Sequence, residues 1–226
     1  IACRPWLSDK LLSAICEKGC EEACMGVLAN PVSDFSYEDM HMIASRFGDR
    51  TDVRSILLER TDLAAETRLL LIGKLSSSLS AFVSGKEWMS EERMQQIASE
   101  AHDKAAVTFA ATVSDEEVVR IARSLIENDQ MNVSFLLRSV CMGNITLAAS
   151  VISELSGVRF AKVESILTKD RRSAFKAVYK RAGLPHAAFD IFATAISTWR
   201  RLLLSGSKIN QERMPFLVTQ EVLKMY

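Results

Sequence analysis

The stretch SDEEVVRIARSL, residues 114–125, decides the fold class. Ser114 stands three residues before Glu117, the spacing of a capping box, in which a hydroxyl and a carboxylate satisfy each other's backbone amides at a helix start. Val118, Ile121, Ala122 and Leu125 then recur at intervals of three and four, which on a 3.6-residue period is one apolar stripe; a strand would need alternation by twos. The same grammar runs outward in both directions. Ser36 with Asp39 opens a helix carrying Met40, Ile43, Ala44 and Phe47, closed by Gly48. Ser8 opens one with Leu11, Leu12 and Ile15, closed by Gly19 where a left-handed residue is favoured. Val27 and Leu28 mark a short helix stopped by Asn30-Pro31, and the stretch from Asp52 to Arg60 turns Val53, Ile56 and Leu57 inward. Chain breaks are scarce, 9 Gly and 4 Pro in 226 residues, and nearly all fall between periodic segments.

Two longer helices occupy the middle. The first, starting at Thr61 or Asp62, bears Leu71, Ile72, Leu75, Leu79, Phe82 and Val83 as a continuous stripe and is expected to be the central helix. The second, capped by Ser90, is expected to bury Met94, Ile97, Ala98, Ala101, Ala105 and Phe109, small enough in part for close helix approach. Helices follow at Phe135, Leu136 and Val140, from Asn144 to Gly157, at 160–167, and at 173–182 before Gly183. Pro185 stands at the first turn of a long helix with Phe189, Phe192, Ala193, Ile196, Trp199 and Leu203, and Pro215 opens the last. The expected fold is all-α: stacked helix pairs in a HEAT-like α-solenoid, or a multi-helix bundle of about twelve helices. A faint repeat supports the solenoid. Ser8, Leu12 and Ile15 match Ser36, Met40 and Ile43, and these match Ser114, Val118 and Ile121. The expected subdivision is an N-terminal subdomain, 1–88, and a C-terminal one, 89–226.

Formal charge is zero but unevenly spread. From Gly157 onward there are 13 Lys plus Arg against 5 Asp plus Glu, a net of +8, which leaves −8 for the first 156 residues. Such polarity suits an acidic partner for the C-terminal part or mutual attraction of the halves. The densest apolar run, Leu69 to Ile72, is far short of the roughly 20 residues a bilayer span requires. The chain begins at Ile1 without an initiator Met, so a longer parent protein is expected. Five cysteines, an odd number in a chain large enough to fold without staples, read as reduced thiols of the cytoplasm. Cys16, Cys20 and Cys24 do not match a standard metal-ligand spacing and are expected to pack as small buried hydrophobes; no metal and no cofactor is expected.

The segments Ile43-Ala44-Ser45-Arg46, Leu57-Leu58-Glu59-Arg60-Thr61-Asp62-Leu63, ASVISELSG at 149–157 and Tyr179-Lys180-Arg181-Ala182-Gly183-Leu184-Pro185 resemble a bacterial helical family, domain of unknown function 2336. The resemblance covers most of the chain and implies an all-helical, HEAT-like cytoplasmic protein. It brings no functional residues with it.

Site chemistry is sparse. His41, His102 and His186 fall on separate segments, and Glu38, Asp39, Glu91, Glu92 and Asp115 to Glu117 cluster at helix starts, where they complement the dipole. No catalytic residue is assigned. The one candidate surface is basic: Lys169, Arg172, Lys176 and Lys180, spaced by three and four, are expected to share a face beside the buried stripe of Phe175, Val178, Tyr179 and Ala182. Arg200 and Arg201, on another helix, are expected to serve its C-terminal dipole. The function expected first is a helical-repeat scaffold binding a protein partner, acidic at this face, in a regulatory or signalling setting. A nucleic-acid module using the same face is the alternative, and an enzyme or small-molecule binder comes third.

Overall fold

A computed structural model describes residues 2–4, 6–30, 33–84, 90–169, 171–204 and 213–224. These form α1 Asp9–Lys18, α2 Glu21–Leu28, α3 Tyr37–Phe47, α4 Thr51–Glu59, α5 Ala65–Ser84, α6 Glu91–Ala110 and α7 Asp115–Glu127. They continue as α8 Val133–Cys141, α9 Ile145–Ser156, α10 Phe160–Thr168, α11 Arg172–Arg181, a 3₁₀ turn His186–Ala188, α12 Phe189–Leu204 and α13 Met214–Leu223. Among the described residues 78% are helical and none is in a strand, against a base rate near one-third, so the all-α expectation holds. No described helix is long and apolar enough to cross a membrane. The chain forms two compact units, Ile1–His102 and Asp103–Tyr226, with α6 contributing to both. The boundary read from sequence at 88/89 lies outside the described residues.

In the first unit α3 is the hub, packed on α1, α4 and α5. Its start is fixed by the expected box: the Asp39 amide donates to Ser36 Oγ at 3.1 Å, and the Ser36 amide donates to Asp39 Oδ2 at 3.2 Å. Ser8 lacks the reciprocal carboxylate three residues on, where Leu11 stands, and makes no side-chain cap. Leu12, Cys16, Cys24, Val27, Met40, Ile43, Val53, Leu57 and Leu71 close the core. Helix C-termini are then tied down by arginines from neighbouring segments. Arg46 of α3 donates to the Cys16 and Gly19 carbonyls, both at 2.6 Å. Arg54 of α4 donates to the Gly48 carbonyl at 3.0 Å, and Arg68 of α5 to the Arg60 carbonyl at 2.6 Å. Each such bond meets one of the carbonyls a helix end leaves without an intrahelical partner.

In the second unit α9 takes the central place, packed against α7, α8, α10 and α11. Asn144 caps it, accepting from the Leu147 amide at 3.0 Å, and Gly157 ends it in the left-handed region at φ +64°. Ala148, Ala149 and Ser150 are buried among larger residues, and these short side chains let four neighbours approach. α7 opens on the expected box, with Ser114 Oγ accepting from the Glu117 amide and Glu117 accepting from the Ser114 amide at 3.0 Å. Arg181 of α11 donates to the Ser156 carbonyl at 2.7 Å, repeating the arginine device at the end of α9.

Four expectations change. The long middle helix starts at Ala65, because residues 60–64 form a turn in which Arg60 grips Asp62 through two hydrogen bonds of 3.0 and 2.7 Å. That helix is not central: Leu69 and Leu71 are buried, but Leu75, Leu79 and Phe82 are 40, 56 and 60% exposed; Val83 lies outside the described side chains. In α6 the buried residues are Met94, Asp103, Ala106, Val107 and Ala110, while Ile97 and Ala101 are exposed, so the inward phase shifts along the helix. Gly19 is extended, at φ −65° and ψ 157°, and what requires glycine is crowding, since a Cβ there would sit 2.5 Å from the Ile15 carbonyl oxygen.

A basic face and its cavity as candidate functional site

Three helices of the second unit build the candidate site. α11 turns Phe175, Val178 and Tyr179 inward, as its spacing requires. Phe175 stacks on Phe189 of α12 at 5.5 Å, and Tyr179 meets Phe189 and Phe192 at 5.3 and 5.5 Å. The Tyr179 hydroxyl donates to the Pro185 carbonyl at 2.9 Å, which fixes the turn between α11 and α12, and burial raises its pKa above the usual range. This aromatic wedge sets where the cations on α11 emerge. The Arg172 guanidinium lies 6.0 Å and the Lys176 ammonium 5.8 Å from the Phe189 ring centre, both at the outer reach of a cation–π contact.

The four residues named from sequence do not form one helical row. α11 begins at Arg172, so Arg172, Lys176 and Lys180 follow one another at four-residue spacing, whereas Lys169 is the C-cap of α10. Between them Arg171 leaves helical geometry at φ −126° and ψ 60°. All four are exposed. Arg172 pairs with Asp190 at 2.9 Å, and with both side chains about two-thirds exposed that pair contributes at most about 1 kcal/mol.

Sequence reasoning missed the cavity. Arg171, Arg172 and Phe175 of the α11 start, Ile166 of α10, and Ala193, Ile196, Ser197 and Arg200 of α12 enclose a volume of about 60 Å³. Arg200 therefore faces the start of α11 from a different helix. The i, i+4 relation of Arg200 to Ile196, together with Arg171-Arg172 directly before the Phe175 stripe, is the signal that was present, but it requires knowing that α11 and α12 fold back on one another. A wider cleft of about 330 Å³ on the same unit, lined by Asp115, Glu164, Thr146 and Trp199 among others, has the opposite sign of charge.

The thiols and histidines stay apart from this site. Cys16 and Cys24 are buried in the first unit's core as expected, but Cys3 and Cys20 are exposed, Cys20 because it is the N-cap of α2. No group of three or more His, Cys, Asp or Glu with the geometry to hold a metal ion occurs among the described residues. His41 shares a hydrogen bond of 3.2 Å with Thr67 Oγ1, a helix-to-helix tie rather than a site.

The architecture is that of an all-α protein whose polar chemistry is spent on helix ends. Residues 1–218 match the family described as an uncharacterised protein conserved in bacteria (DUF2336), and the chain belongs to that family. No curated protein and no solved structure matches it. The segments that carried the resemblance have structural work: Arg46 and Arg181 each tie a helix end, Arg60 grips Asp62 and lies 5.0 Å over the Phe35 ring, and Tyr179 holds Pro185.

Proposed function

We propose that this chain is a non-catalytic helical docking domain, built from stacked helix pairs, that binds an acidic segment of a protein partner along the basic face of α11. The observation that carries the reading is the row Arg172, Lys176 and Lys180, exposed at four-residue spacing, with Arg172 and Lys176 6.0 and 5.8 Å from the Phe189 ring centre. A rigid aromatic support lowers the ordering cost of the cations above it, which favours a specific contact over a solvated surface. Nucleic acid is the weaker reading, because Phe175, Tyr179 and Phe189 are at most 5% exposed and offer no face on which a base could stack. The thiols are free, in keeping with a reducing cytoplasm, and a docking role fits regulatory or signalling work.

The test is binding of fluorescent polyglutamate and of a DNA duplex to the full chain, followed by anisotropy across a salt series. The expected result is polyglutamate binding that weakens about tenfold in the Lys176→Glu/Lys180→Glu variant, with negligible duplex binding near physiological salt. Duplex binding tighter than polyglutamate binding moves the reading to nucleic acid. Equal behaviour of variant and parent removes the face from consideration.

A further inference from the structure

We propose that the acidic partner of the α11 row is a second copy of this chain, which docks through the row Glu92, Gln96 and Glu100 of its α6; the inference rests on the docking reading above. Charge is divided between the two compact units. The unit Ile1–His102 holds 11 Lys plus Arg against 16 Asp plus Glu, a net of −5, and the unit Asp103–Tyr226 holds 17 against 12, a net of +5. The whole chain is neutral, so two copies meet without net repulsion, and separated charges of equal size favour contact between unlike units.

The two rows match in spacing and oppose in sign. Arg172, Lys176 and Lys180 stand at intervals of four and cover about 12 Å of helix at ~1.5 Å per residue, and Glu92, Gln96 and Glu100 repeat that interval on α6. All six are exposed. Residues 171–181 carry five cations and no carboxylate, while residues 91–100 carry three carboxylates against the single cation Arg93. Most of this charge is unspent. Asp190 engages Arg172 at 2.9 Å, whereas Lys176 and Lys180 make no ion pair among the described residues. Glu92 makes none either, and Glu100 accepts only from the neutral Gln96 amide at 3.0 Å. Because the rows lie on different helices, the contact is heterologous, and a copy joined through one row keeps its other row free. Exposed charges carry it, so salt should weaken it steeply.

The experiment is sedimentation velocity on the full chain over about 5–500 µM protein, in about 20 and 300 mM NaCl, where the screening length falls from roughly 20 Å to about 5 Å. The expected result is a sedimentation coefficient that rises with concentration in low salt, and an apparent dissociation constant about tenfold weaker in high salt. Lys176→Gln/Lys180→Gln and Glu92→Gln/Glu100→Gln should each weaken self-association about tenfold, because each lacks one of the two rows. Mixed in equal amounts they should form a one-to-one complex and nothing larger, since one intact row of each sign remains in the mixture. All four positions are exposed, and circular dichroism checks the fold. If a double variant unfolds, Lys180→Gln and Glu92→Gln carry the test singly, and each must weaken association at least about threefold. A parent chain that stays monomeric throughout the low-salt series overturns the proposal, as does self-association that survives either neutralisation or a mixture that forms no complex. If self-association fails while polyglutamate binding still depends on Lys176 and Lys180, the docking reading stands with a different acidic protein as partner. If polyglutamate binding is also independent of them, both readings fall.

Discussion

α5 and α9 each carry an apolar stripe and are opposite in fate. α5 is 20 residues long with a stripe from Leu71 to Phe82, and periodicity alone makes it the natural centre of its unit. α9 has 12 residues, yet it is buried on nearly every side, from Ile145 and Leu147 through Val151 and Ile152 to Ser156. The difference lies in what surrounds the stripe. On α9 the positions between the large residues are Ala148, Ala149 and Ser150, so no face is too bulky or too polar for a neighbour. On α5 the stripe past Lys74 is flanked by Ser76, Ser77 and Ser78, and Leu75 and Leu79 stay exposed. A hydrophobic stripe shows that a face can be buried; it does not show that another helix covers it.

The sharpest way to break this comparison is to truncate α9. Leu147→Ala removes a side chain with no exposure, packed where four helices meet, and should cost about 2–5 kcal/mol in urea unfolding. A cost under about 1 kcal/mol would mean that α9 does not anchor its unit.

Next in size are the arginine ties. Arg46→Ala leaves the Cys16 and Gly19 carbonyls at the end of α1 without their donor and also removes the contact of the guanidinium with the Phe47 ring at 4.6 Å. The expected loss is about 2–3 kcal/mol, with Arg46→Lys recovering only part because an ammonium cannot span both carbonyls as a fork does. These ties mark the limit of what could be read in advance. Capping boxes at Ser36 and Ser114 were legible because both partners sit within four residues. Arg46 and Cys16 are 30 residues apart, and nothing local says that an arginine on α3 reaches back to α1. The basic row of α11 was legible for the same reason as the boxes, as a periodicity within one helix. Its cavity was not, because Arg171 and Arg200 meet only after α11 and α12 fold back on one another.

Third comes the alkaline limit of the first unit. Burial, reinforced by the nearby negative charge of Asp39, pushes the Cys16 thiol from 9.0 up to about 12, and burial also raises Cys24. The folded state thus holds its proton more tightly than the unfolded chain does. Stability from this source is fully present below about pH 9 and is lost as pH rises toward 12, reaching about 1.4 kcal/mol by pH 10. Urea midpoints of parent and Cys16→Ala measured from pH 7 to pH 10 should show a steeper decline in the parent. In the native state at pH 8, iodoacetamide should label the exposed Cys3 and Cys20 long before Cys16 or Cys24.

Helix starts should then separate the matched serines. Ser36→Ala and Ser114→Ala each break a reciprocal box and should cost about 1 kcal/mol. Ser8→Ala removes no side-chain hydrogen bond and should fall within about 0.5 kcal/mol of the parent. Equal costs at all three positions would show that the repeat-like spacing carries no difference in capping.

The smallest expected effect returns to α5. Leu79 keeps more than half of its surface in water, so Leu79→Ala removes little buried area and should change the urea midpoint by the equivalent of about 0.5 kcal/mol or less. Leu79→Lys should be tolerated equally, since an exposed helical position accepts a long charged side chain at little cost in propensity. Thermal unfolding of both variants beside Leu147→Ala turns the contrast into one number, the ratio of their losses. A loss of about 2 kcal/mol or more at Leu79 would mean that the outer half of α5 is covered, and that the periodicity of its stripe, which made it the expected central helix, describes its environment after all.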